Sequence, residues 1–303
     1  MSAFSRLVVG VAESPPVKHL VTSTRVGRMV ANRFVAGESL DDAVKAARNL
    51  NTLGMSVSLD LLGEEVKAAG EVDQARREYE ECLHRIADEG IDANISIKLT
   101  QLGLGFDEEL TASTVSQLAK SATELGLTIT IDMEDSRWTA ATIEIYRAAQ
   151  SQHGNLGVAL QAYLYRTPAD LDLLAPLGGH LRLCKGAYVE PDDVAFTDKD
   201  DVDAAFARLL EPLLADERLL PAIATHDRRL IEHTRSLVGS RTGPFEFQML
   251  YGVAVAIQRE LASSGYPLRI YVPYGARWYP YLVRRLGERP ANLAFFVRAL
   301  AQR

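Results

Sequence analysis

Eight short β-rich runs alternate with helical stretches from residue 55 onward. The helical stretches carry apolar residues at helical spacing and end near Gly or Asp. Strict alternation of strands and helices implies parallel strands that are joined by crossover connections. Eight such units in about 250 residues match the size of a (β/α)8 barrel, so we predict a TIM-type barrel of the α/β class. The runs are MSVSLDLLG, ANISIKLT, LTITIDME, LGVALQAYL, LRLCKGAY, PAIATHD, FEFQML and RIYVPYG.

An open, doubly wound sheet is the alternative architecture for such an alternation. A dinucleotide-binding sheet of that kind carries Gly-x-Gly-x-x-Gly after its first strand, and this sequence lacks the motif there. The chain also shows no low-complexity linker before the first β-rich run. We therefore predict a helical arm over residues 1–50 that is added to one barrel over residues 51–303.

Charge and cysteine content exclude several classes of protein. The formal net charge of -7 argues against a nucleic-acid partner, because nucleic-acid binders usually carry a basic surface. The two cysteines, Cys82 and Cys184, make neither a disulfide framework nor a metal set, which fits a reducing cytoplasm. The N-terminal apolar patch is too short for a signal peptide, and no run approaches the roughly 18 apolar residues of a membrane span. We expect a cytoplasmic protein that acts on small molecules.

The N-terminal segment is basic, although the chain as a whole is acidic. Before position 37, its cationic residues meet a single acidic residue, Glu13. We predict a solvated helical arm, with peripheral contact to the inner face of an anionic membrane as the alternative. The cationic residues are Arg6, Lys18, Arg25, Arg28 and Arg33.

Polar side chains recur on one face of the predicted strands, toward the carboxyl end of each. In ISIKL, Ile95 and Ile97 share a face and leave Lys98 on the opposite one, which points into a barrel. Internal ion pairs, such as Lys98 with Asp132, are the alternative explanation. Because so many strands agree, and unpartnered buried polar groups cost several kcal/mol each, we predict a ligand site at this end of the barrel. The inward set is Lys98, Asp132, Glu134, Gln161, Arg182, His226, Gln248 and Tyr271.

The stretch YPYLVRRLGERPAN places two adjacent arginines on a predicted helix. At helical spacing Tyr281, Arg284, Arg285 and Glu288 fall on one face. Taken alone, this pattern also describes a solvated face on which Arg284 and Glu288 form an ordinary ion pair. The pattern therefore leaves both interpretations of this helix open.

Seven motifs, in order and spacing, resemble those of the proline dehydrogenase family, and the resemblance runs from about Leu50 to the C-terminus. It implies a monofunctional bacterial enzyme with noncovalent FAD that oxidises L-proline to pyrroline-5-carboxylate. A hydride would move to flavin N5 and electrons would pass to a quinone. A separate pyrroline-5-carboxylate dehydrogenase would act downstream. The motifs are SIKLTQLG, DMED, QAYLYRT, LRLCKGAY, ATHD, FEFQMLYG and YVPYGARWYPYLVRRLGERPAN.

The same resemblance implies roles for individual residues. Arg284 and Arg285 match the pair that binds the proline carboxylate, with Lys98 completing a cationic clamp and Glu288 on the same face. Arg182 matches an arginine near flavin N5, where a positive charge favours the reduced flavin. The residues that match the enclosure of the substrate ring are Tyr188, Leu250, Tyr271 and Tyr281. The residues that match flavin contacts are Met133, Gln161, Arg182, Lys185, Gly186, Ala187, Thr225, His226 and Gln248.

Asp132 matches an acidic residue beside Lys98 and the flavin. We expect it to balance charge and to position its neighbours, while a general-base role stays open. A metal site built from His226 with Glu134, Asp135 and Asp227 is disfavoured, because no second histidine stands at ligand spacing. Aromatic residues that we expect to pack helices on the barrel are Trp138, Tyr146, Phe295 and Phe296.

Three other functions compete with this interpretation. A Schiff-base aldolase would use Lys98 as its amine, since a buried lysine beside an aspartate has the surroundings of an activated nucleophile. Another flavin barrel, such as a methylenetetrahydrofolate reductase relative, would share the cofactor but not the paired arginines. A non-catalytic barrel would bind small acids without turnover.

Overall fold

Eight parallel strands close into a barrel in the computed structural model, which describes residues 31–63, 65–239 and 241–288. The strands follow one another around the barrel in chain order, and the last pairs with the first. This confirms the predicted TIM-type α/β barrel, with one strand in each of the eight β-rich runs. The strands are β1 (Ser56–Leu61), β2 (Ala93–Ile97), β3 (Ile129–Ile131), β4 (Leu156–Gln161), β5 (Gly179–Cys184), β6 (Leu219–Ala224), β7 (Glu246–Leu250) and β8 (Leu268–Tyr274).

Helices connect successive strands and carry recognisable start and stop signals. The first described helix begins at a capping box, in which Ser39 and Asp42 bond to each other's backbone N–H groups. The second ends at Gly90, whose left-handed φ of 61° suits a residue without Cβ. The helices are α1 (Leu40–Asn51), α2 (Ala69–Glu89), α3 (Glu108–Glu124), α4 (Ser136–His153), α5 (Thr167–Leu174), α6 (Lys199–Ala215), α7 (Arg228–Val238), α8 (Val255–Ser263) and α9 (Trp278–Glu288).

The two faces of the strands differ in chemistry. Apolar side chains such as Leu59, Ile95 and Ile97 are fully buried and belong to the large core between the strands and the helices. The opposite face is polar, and a hydrogen bond joins Ser58 of β1 to Asn94 of β2 inside the barrel. Because successive side chains along a strand point to opposite faces, the apolar ones lie on the outer face of the barrel, under the helices, and the polar ones point into its interior.

Helix α1, which precedes β1, and helix α9, which follows β8, pack against different parts of the protein. Helix α1, most of which falls in the predicted arm, packs against β1 and β8. Helix α9 follows β8 and buries Leu282 and Val283 in a separate cluster with Phe34 and Leu62. The predicted boundary at residue 50 stays a prediction.

Several expectations concern residues outside the described part. Of the five basic N-terminal residues, Arg33 alone lies within it, so the predicted membrane contact stays a prediction. Phe295 and Phe296 also lie outside it, whereas Tyr146 is fully buried, Trp138 packs against the core and Cys82 is 1% exposed. Among the described residues, every helix is too short or too polar to span a bilayer.

Candidate active site

A cavity of about 460 Å³ opens at the carboxyl end of the barrel strands. Its walls come from residues at the ends of β1 to β8, from the loops that follow them and from helix α9. This is the end at which parallel barrels place their ligand sites. Of the predicted site residues whose side chains the structure describes, all border this one cavity except Glu134 and Gln161. The side chain of Glu288 lies outside the part that the structure describes.

Lys98 joins two carboxylates at the floor of the cavity. Its Nζ donates to Asp60 Oδ1 across 2.6 Å, to Asp132 Oδ2 across 3.0 Å and to the Tyr271 hydroxyl across 3.2 Å. All three hydrogens of the ammonium group therefore have an acceptor. Burial lowers the pKa of Lys98, but the negative charges of Asp60 and Asp132 outweigh burial and hold that pKa well above its ordinary value. Lys98 is a fixed cation.

Asp132 receives strong donors on both oxygens. In addition to Lys98, Arg182 Nη1 donates to Oδ1 across 2.6 Å, and the Tyr271 hydroxyl donates to Oδ2 across 2.6 Å. Burial alone would raise the pKa of this carboxyl, but Lys98, Arg182 and the Tyr271 hydrogen bond outweigh burial and lower it. Asp132 is therefore an ionised carboxylate that ties β2, β5 and β8 to the end of β3.

Arg182 is buried and held on three sides. Its guanidinium donates to Asp132, to Gln248 Oε1 across 2.5 Å and to Ser96 Oγ across 3.0 Å. It also lies over the Tyr271 ring, 5.4 Å from the centroid. The planar fork is thus fixed in one orientation before any ligand binds.

A second polar network lies behind Arg182, toward the amino end of the barrel. Gln248 Nε2 donates to Glu246 Oε1 across 2.6 Å, which turns the amide oxygen of Gln248 toward Arg182. Arg269 and His180 also contact Glu246. Burial opposes ionisation of Glu246, but the His180 hydrogen bond and the Arg269 charge outweigh burial and lower its pKa. The carboxylate of Glu246 thereby fixes the orientation of the Gln248 side chain.

Helix α9 brings the paired arginines to the same cavity. Arg284 and Arg285 both border it, together with Tyr281, and Arg285 is 8% exposed. The Arg285 guanidinium lies 5.1 Å from the centre of the Tyr281 ring. The partial burial of this face disagrees with the alternative of an ordinary solvated helix surface.

The loop that follows β5 forms one side of the cavity and is closely held. Gly186 adopts a φ of 121°, and a Cβ at this position would collide with the Tyr163 ring. Glu190 accepts a hydrogen bond from the backbone N of Ser136 across 2.7 Å, which ties the loop to the start of α4. The backbone at Gly186 therefore approaches the Tyr163 ring more closely than a residue with a Cβ would allow, and this contact fixes the loop at the edge of the cavity.

The remaining predicted flavin contacts fall into two groups. Met133, Lys185, Ala187, Thr225 and His226 border the cavity. Gln161 instead lies between two loops, where it donates to the Glu134 carbonyl across 2.8 Å and accepts from the Ala187 N–H across 3.3 Å. Its side chain therefore braces both loops.

Two further predicted inward residues serve neighbouring segments. Glu134 accepts from the backbone N of Thr100 across 3.0 Å and thus holds the turn after β2. His226 accepts at Nε2 from the backbone N of Leu250 across 2.9 Å and thereby supports the end of β7. In the residues that the structure describes, no group of three or more His, Cys, Asp or Glu side chains could hold a metal ion.

Asp60, which contacts Lys98, was not among the residues predicted to point into the barrel. The signal was present, because Val57, Leu59 and Leu61 alternate along β1 and leave Asp60 on the inward face. Lys199 was also omitted; it borders the cavity beside Lys185, and both lysines pair with Asp203. The position of Lys199 at the cavity depends on how α6 packs against the barrel, and no local pattern in the sequence predicts it.

A family model and individual relatives point to the same family. A family model described as Proline dehydrogenase matches residues 43–298. Proline dehydrogenase 1 of Bacillus subtilis subsp. natto is 40% identical over 279 residues, which are 91% of this chain and 92% of that protein. Proline dehydrogenase of Deinococcus radiodurans is 37% identical over 305 residues, which are 98% of this chain and 97% of that protein.

Solved structures of larger proteins share the fold. Proline utilization A (PutA) of Bdellovibrio bacteriovorus, inactivated by N-propargylglycine, matches with a TM-score of 0.82 at 23% identity over 92% of this chain. PutA of Bradyrhizobium japonicum matches with a TM-score of 0.77 at 25% identity over 95% of this chain. This chain spans 35% and 34% of the lengths of those two proteins.

Proposed function

Because this chain belongs to the proline dehydrogenase family, we propose that its barrel cavity oxidises L-proline to pyrroline-5-carboxylate with FAD as the hydride acceptor. Membership makes the chain an oxidoreductase of proline catabolism. The flavin, the site of hydride transfer and a quinone as the final electron acceptor form the proposal. One observation carries it: the arginine pair of α9 and the Lys98 cluster border a single cavity.

The cations of this cavity suit the carboxylate of an amino acid. Arg284 and Arg285 each offer a planar fork of donors that matches a carboxylate with two parallel hydrogen bonds, and Lys98 adds a point charge. The ring of proline needs apolar walls, which Tyr188, Leu250, Tyr271 and Tyr281 would provide. Several fixed cations would orient the substrate so that one ring carbon faces the hydride acceptor.

The residues of the cavity also fit an FAD. Gly186 borders the cavity with its backbone fixed against the Tyr163 ring, and Lys185 and Lys199 offer cations to a pyrophosphate. When bound, FAD supplies the acceptor for the hydride of the substrate. Arg182 would place a buried positive charge beside the ring that gains electrons, which favours the reduced form. Further residues that would hold FAD are Met133, Ala187, Thr225, His226 and Gln248, with Gln161 bracing the loops.

We infer that FAD is held without a covalent bond. Neither cysteine nor any histidine stands in a flavin-linkage motif. Burial raises the pKa of Cys184, the thiol that borders the cavity, to about 11, so little of it is the reactive thiolate at neutral pH. Acid precipitation of the purified protein should release its yellow colour into the supernatant. A colour that stays with the precipitate would contradict noncovalent binding.

The state of Lys98 bears on the aldolase alternative. A Schiff-base lysine must lose its proton to attack a carbonyl group. Here the neighbouring carboxylates hold the pKa of Lys98 well above its ordinary value, which favours the ammonium form. Treatment with borohydride and a carbonyl substrate should leave Lys98 unmodified, and a trapped adduct on Lys98 would support the aldolase instead.

Anaerobic addition of L-proline to the purified protein tests the proposal. The oxidised flavin spectrum should bleach, because the hydride of proline reduces the cofactor. Cyclopentanecarboxylate is the matched control, since it has the ring and the carboxylate but no nitrogen lone pair to expel a hydride. It should perturb the spectrum without bleaching it, and a soluble quinone should restore the oxidised spectrum after proline. A protein that takes up no FAD, or an FAD protein that proline leaves oxidised, would end the proposal.

A further inference from the structure

Arg182 is held at three different nitrogen atoms. Nη1 donates to Asp132, Nη2 donates to Ser96 Oγ across 3.0 Å, and Nε donates to Gln248 Oε1 across 2.5 Å. The first two contacts lie at the Nη end of the guanidinium, so without the third the group could tilt about them. Gln248 therefore completes the set of contacts that fixes the plane of Arg182.

Small side chains on the adjoining strands let Arg182 reach β7. In the sheet, Arg182 of β5 pairs with Ala159 of β4 and with Ala222 of β6. Side chains of residues that pair in register point to the same face of the sheet, so both methyl groups lie beside the arginine. They leave room for the side chain to pass over β4 to Asp132 and over β6 to Gln248. Arg182 is thereby coupled to a strand that does not adjoin its own.

Glu246 determines which end of the Gln248 amide faces Arg182. The oxygen and the NH₂ group of an amide have nearly the same size, so neighbouring donors and acceptors select its direction. A guanidinium can only donate, and an ionised carboxylate can only accept. Gln248 Nε2 donates to Glu246 Oε1 across 2.6 Å, which leaves the amide oxygen for Arg182. Glu246 lies two residues before Gln248 on β7, so both side chains point to the same face.

Glu246 is itself fixed by contacts with other strands. Arg269 Nε of β8 donates to both of its carboxylate oxygens, across 2.9 Å and 3.1 Å. Arg269 Nη1 in turn donates to the backbone carbonyl of Val57 on β1 across 2.8 Å. His180 of β5 lies 3.3 Å from Glu246 Oε1. A buried ion pair toward the amino end of the barrel thus orients an amide that borders the cavity.

We propose that Glu246 is a positioning residue for the reaction of this cavity: it directs the Gln248 amide oxygen at the Arg182 Nε–H and so fixes the plane in which Arg182 presents its charge to the cavity. The effect on a flavin rests on the proposed function. Gln248 and Arg182 border the cavity, whereas Glu246 does not, so Glu246 acts through these two residues. Misplacement of a reacting or stabilising group by about 1 Å is enough to slow a reaction substantially.

Charge alone and positioning predict opposite signs when Glu246 is neutralised. Removal of a negative charge makes the surroundings of the flavin more positive, which by itself favours the electron-rich reduced ring and raises the flavin potential. If Arg182 instead loses its fixed plane, the ring loses an aligned positive charge and the potential becomes more negative. The sign of the change therefore separates the two roles.

The first test measures the flavin potential and the rate of flavin reduction by proline in Glu246→Gln and Gln248→Met. Both variants should have a more negative potential and a roughly tenfold lower rate, because Arg182 is no longer held at Nε. Gln248→Met changes no charge and keeps the pair of Glu246 with Arg269, so it also serves if Glu246→Gln does not fold. In an Arg182→Met background, Glu246→Gln should cause no further negative shift and no further loss of rate.

Asp170→Asn is the matched control for the loss of a buried carboxylate. Asp170 of α5 is 4% exposed and accepts two hydrogen bonds of 2.8 Å from Arg166, and neither residue borders the cavity. This variant should lower the thermal midpoint but keep the wild-type potential and rate. The comparison separates general destabilisation from an effect on Arg182.

Hydrogen exchange of the Arg182 Nε–H tests the contact without flavin chemistry. In nitrogen-15 NMR spectra of the purified protein, the signal that disappears in Arg182→Met identifies this group. It should exchange slowly with solvent in wild type and Asp170→Asn, and at least about tenfold faster in Glu246→Gln and Gln248→Met, because its acceptor is turned away or lost. This readout does not depend on proline. Failure of the proposed function would appear separately, as a wild-type flavin that proline does not reduce.

Three results would overturn the assignment. One is a potential of Glu246→Gln that is unchanged or more positive. Another is a negative shift that persists in full in the Arg182→Met background. The third is an Arg182 Nε–H that exchanges as slowly in Gln248→Met as in wild type.

Discussion

The Arg182 guanidinium donates to the Asp132 carboxylate across 2.6 Å, and both residues are almost fully buried, with 6% and 8% of their surfaces exposed. This contact joins β5 to the end of β3 across the mouth of the barrel. A buried ion pair of this kind is expensive to break from one side, because the remaining charge keeps its desolvation without its partner. Substitutions in this pair should therefore affect charge distribution in the cavity more than its shape.

Arg182→Met should lower the rate of flavin reduction roughly 100-fold and make the flavin potential more negative. The reason is that the electron-rich reduced ring loses a fixed positive charge. Arg182→Lys, which keeps a charge but loses the fork, should be intermediate in both measurements. Spectroelectrochemistry and stopped-flow reduction provide the two values. A variant with an unchanged potential and a full reduction rate would show that Arg182 is purely structural.

Replacement of Arg284 or Arg285 by Met should weaken proline binding about 10-fold to 150-fold. The loss corresponds to charge-assisted hydrogen bonds worth roughly 1.5 to 3 kcal/mol. Lysine at either position should rescue binding in part, since a point charge lacks the fork geometry. Flavin content should stay unchanged, and reduction kinetics at varied proline concentration measure the affinity.

Two controls separate carboxylate recognition from general damage by these substitutions. Arg277 precedes α9 and is exposed, so Arg277→Met should bind proline as wild type does. Cyclopentanecarboxylate inhibition should collapse in the Arg284 and Arg285 variants, whereas any binding of uncharged cyclopentane ligands should be nearly unaffected. If the carboxylate ligand binds every variant as tightly as wild type, the arginines do not hold the substrate.

Glu246 should contribute to stability in a pH-dependent manner. Its pKa is lower in the folded protein than in the unfolded chain, where it is about 4.3, so the unfolded chain binds the extra proton. The contribution is fully present above that value and is lost as pH falls toward the folded pKa. At pH 7, Glu246→Gln should cost about 3 to 5 kcal/mol, because Arg269 keeps its charge in a buried position.

Urea unfolding of wild type and Glu246→Gln between pH 7 and pH 3 measures this effect. The difference between the two proteins should be constant above about pH 5 and should shrink below about pH 4. Glu124→Gln provides a surface control, since Glu124 is two-thirds exposed and its separation from Lys120 is 4.0 Å. A difference for Glu246→Gln that does not change with pH would mean that the pKa of Glu246 is the same in the folded and the unfolded protein, and a difference that grows as pH falls would mean that its carboxyl is not ionised in the folded protein.

Gly186→Ala should reduce FAD content and stability together. The residue would have to adopt a φ of 121° at a cost of about 1 to 3 kcal/mol, and its methyl group would collide with the Tyr163 ring. Gly239→Ala is the matched control, because Gly239 has a φ of -61° and open space where a Cβ would stand. The flavin-to-protein absorbance ratio and the thermal midpoint report the effects. Equal FAD content in both variants would argue against a cofactor contact at Gly186.

The sequence determined the barrel, because strand and helix periodicities are local properties of the chain. A period of two in the β-rich runs and helical spacing between them specify eight parallel strands without knowledge of any contact. The same parity placed Lys98, Asp132 and Arg182 on the inward face, and all three border the cavity. The alternation along β1 contained the same information about Asp60, so its omission was an error of interpretation.

The partner that each inward group takes depends on contacts between strands that are distant in sequence. Lys98 and Tyr271 are 173 residues apart in sequence and meet because β8 closes the barrel against β1. The alternation along the strands predicted the same inward direction for Glu134 and Gln161 as for Asp132. In the structure, however, Glu134 supports the turn after β2 and Gln161 braces two loops. The physical reason is that side-chain direction follows from the local backbone, whereas hydrogen-bond partners depend on distances between strands that closure of the barrel sets.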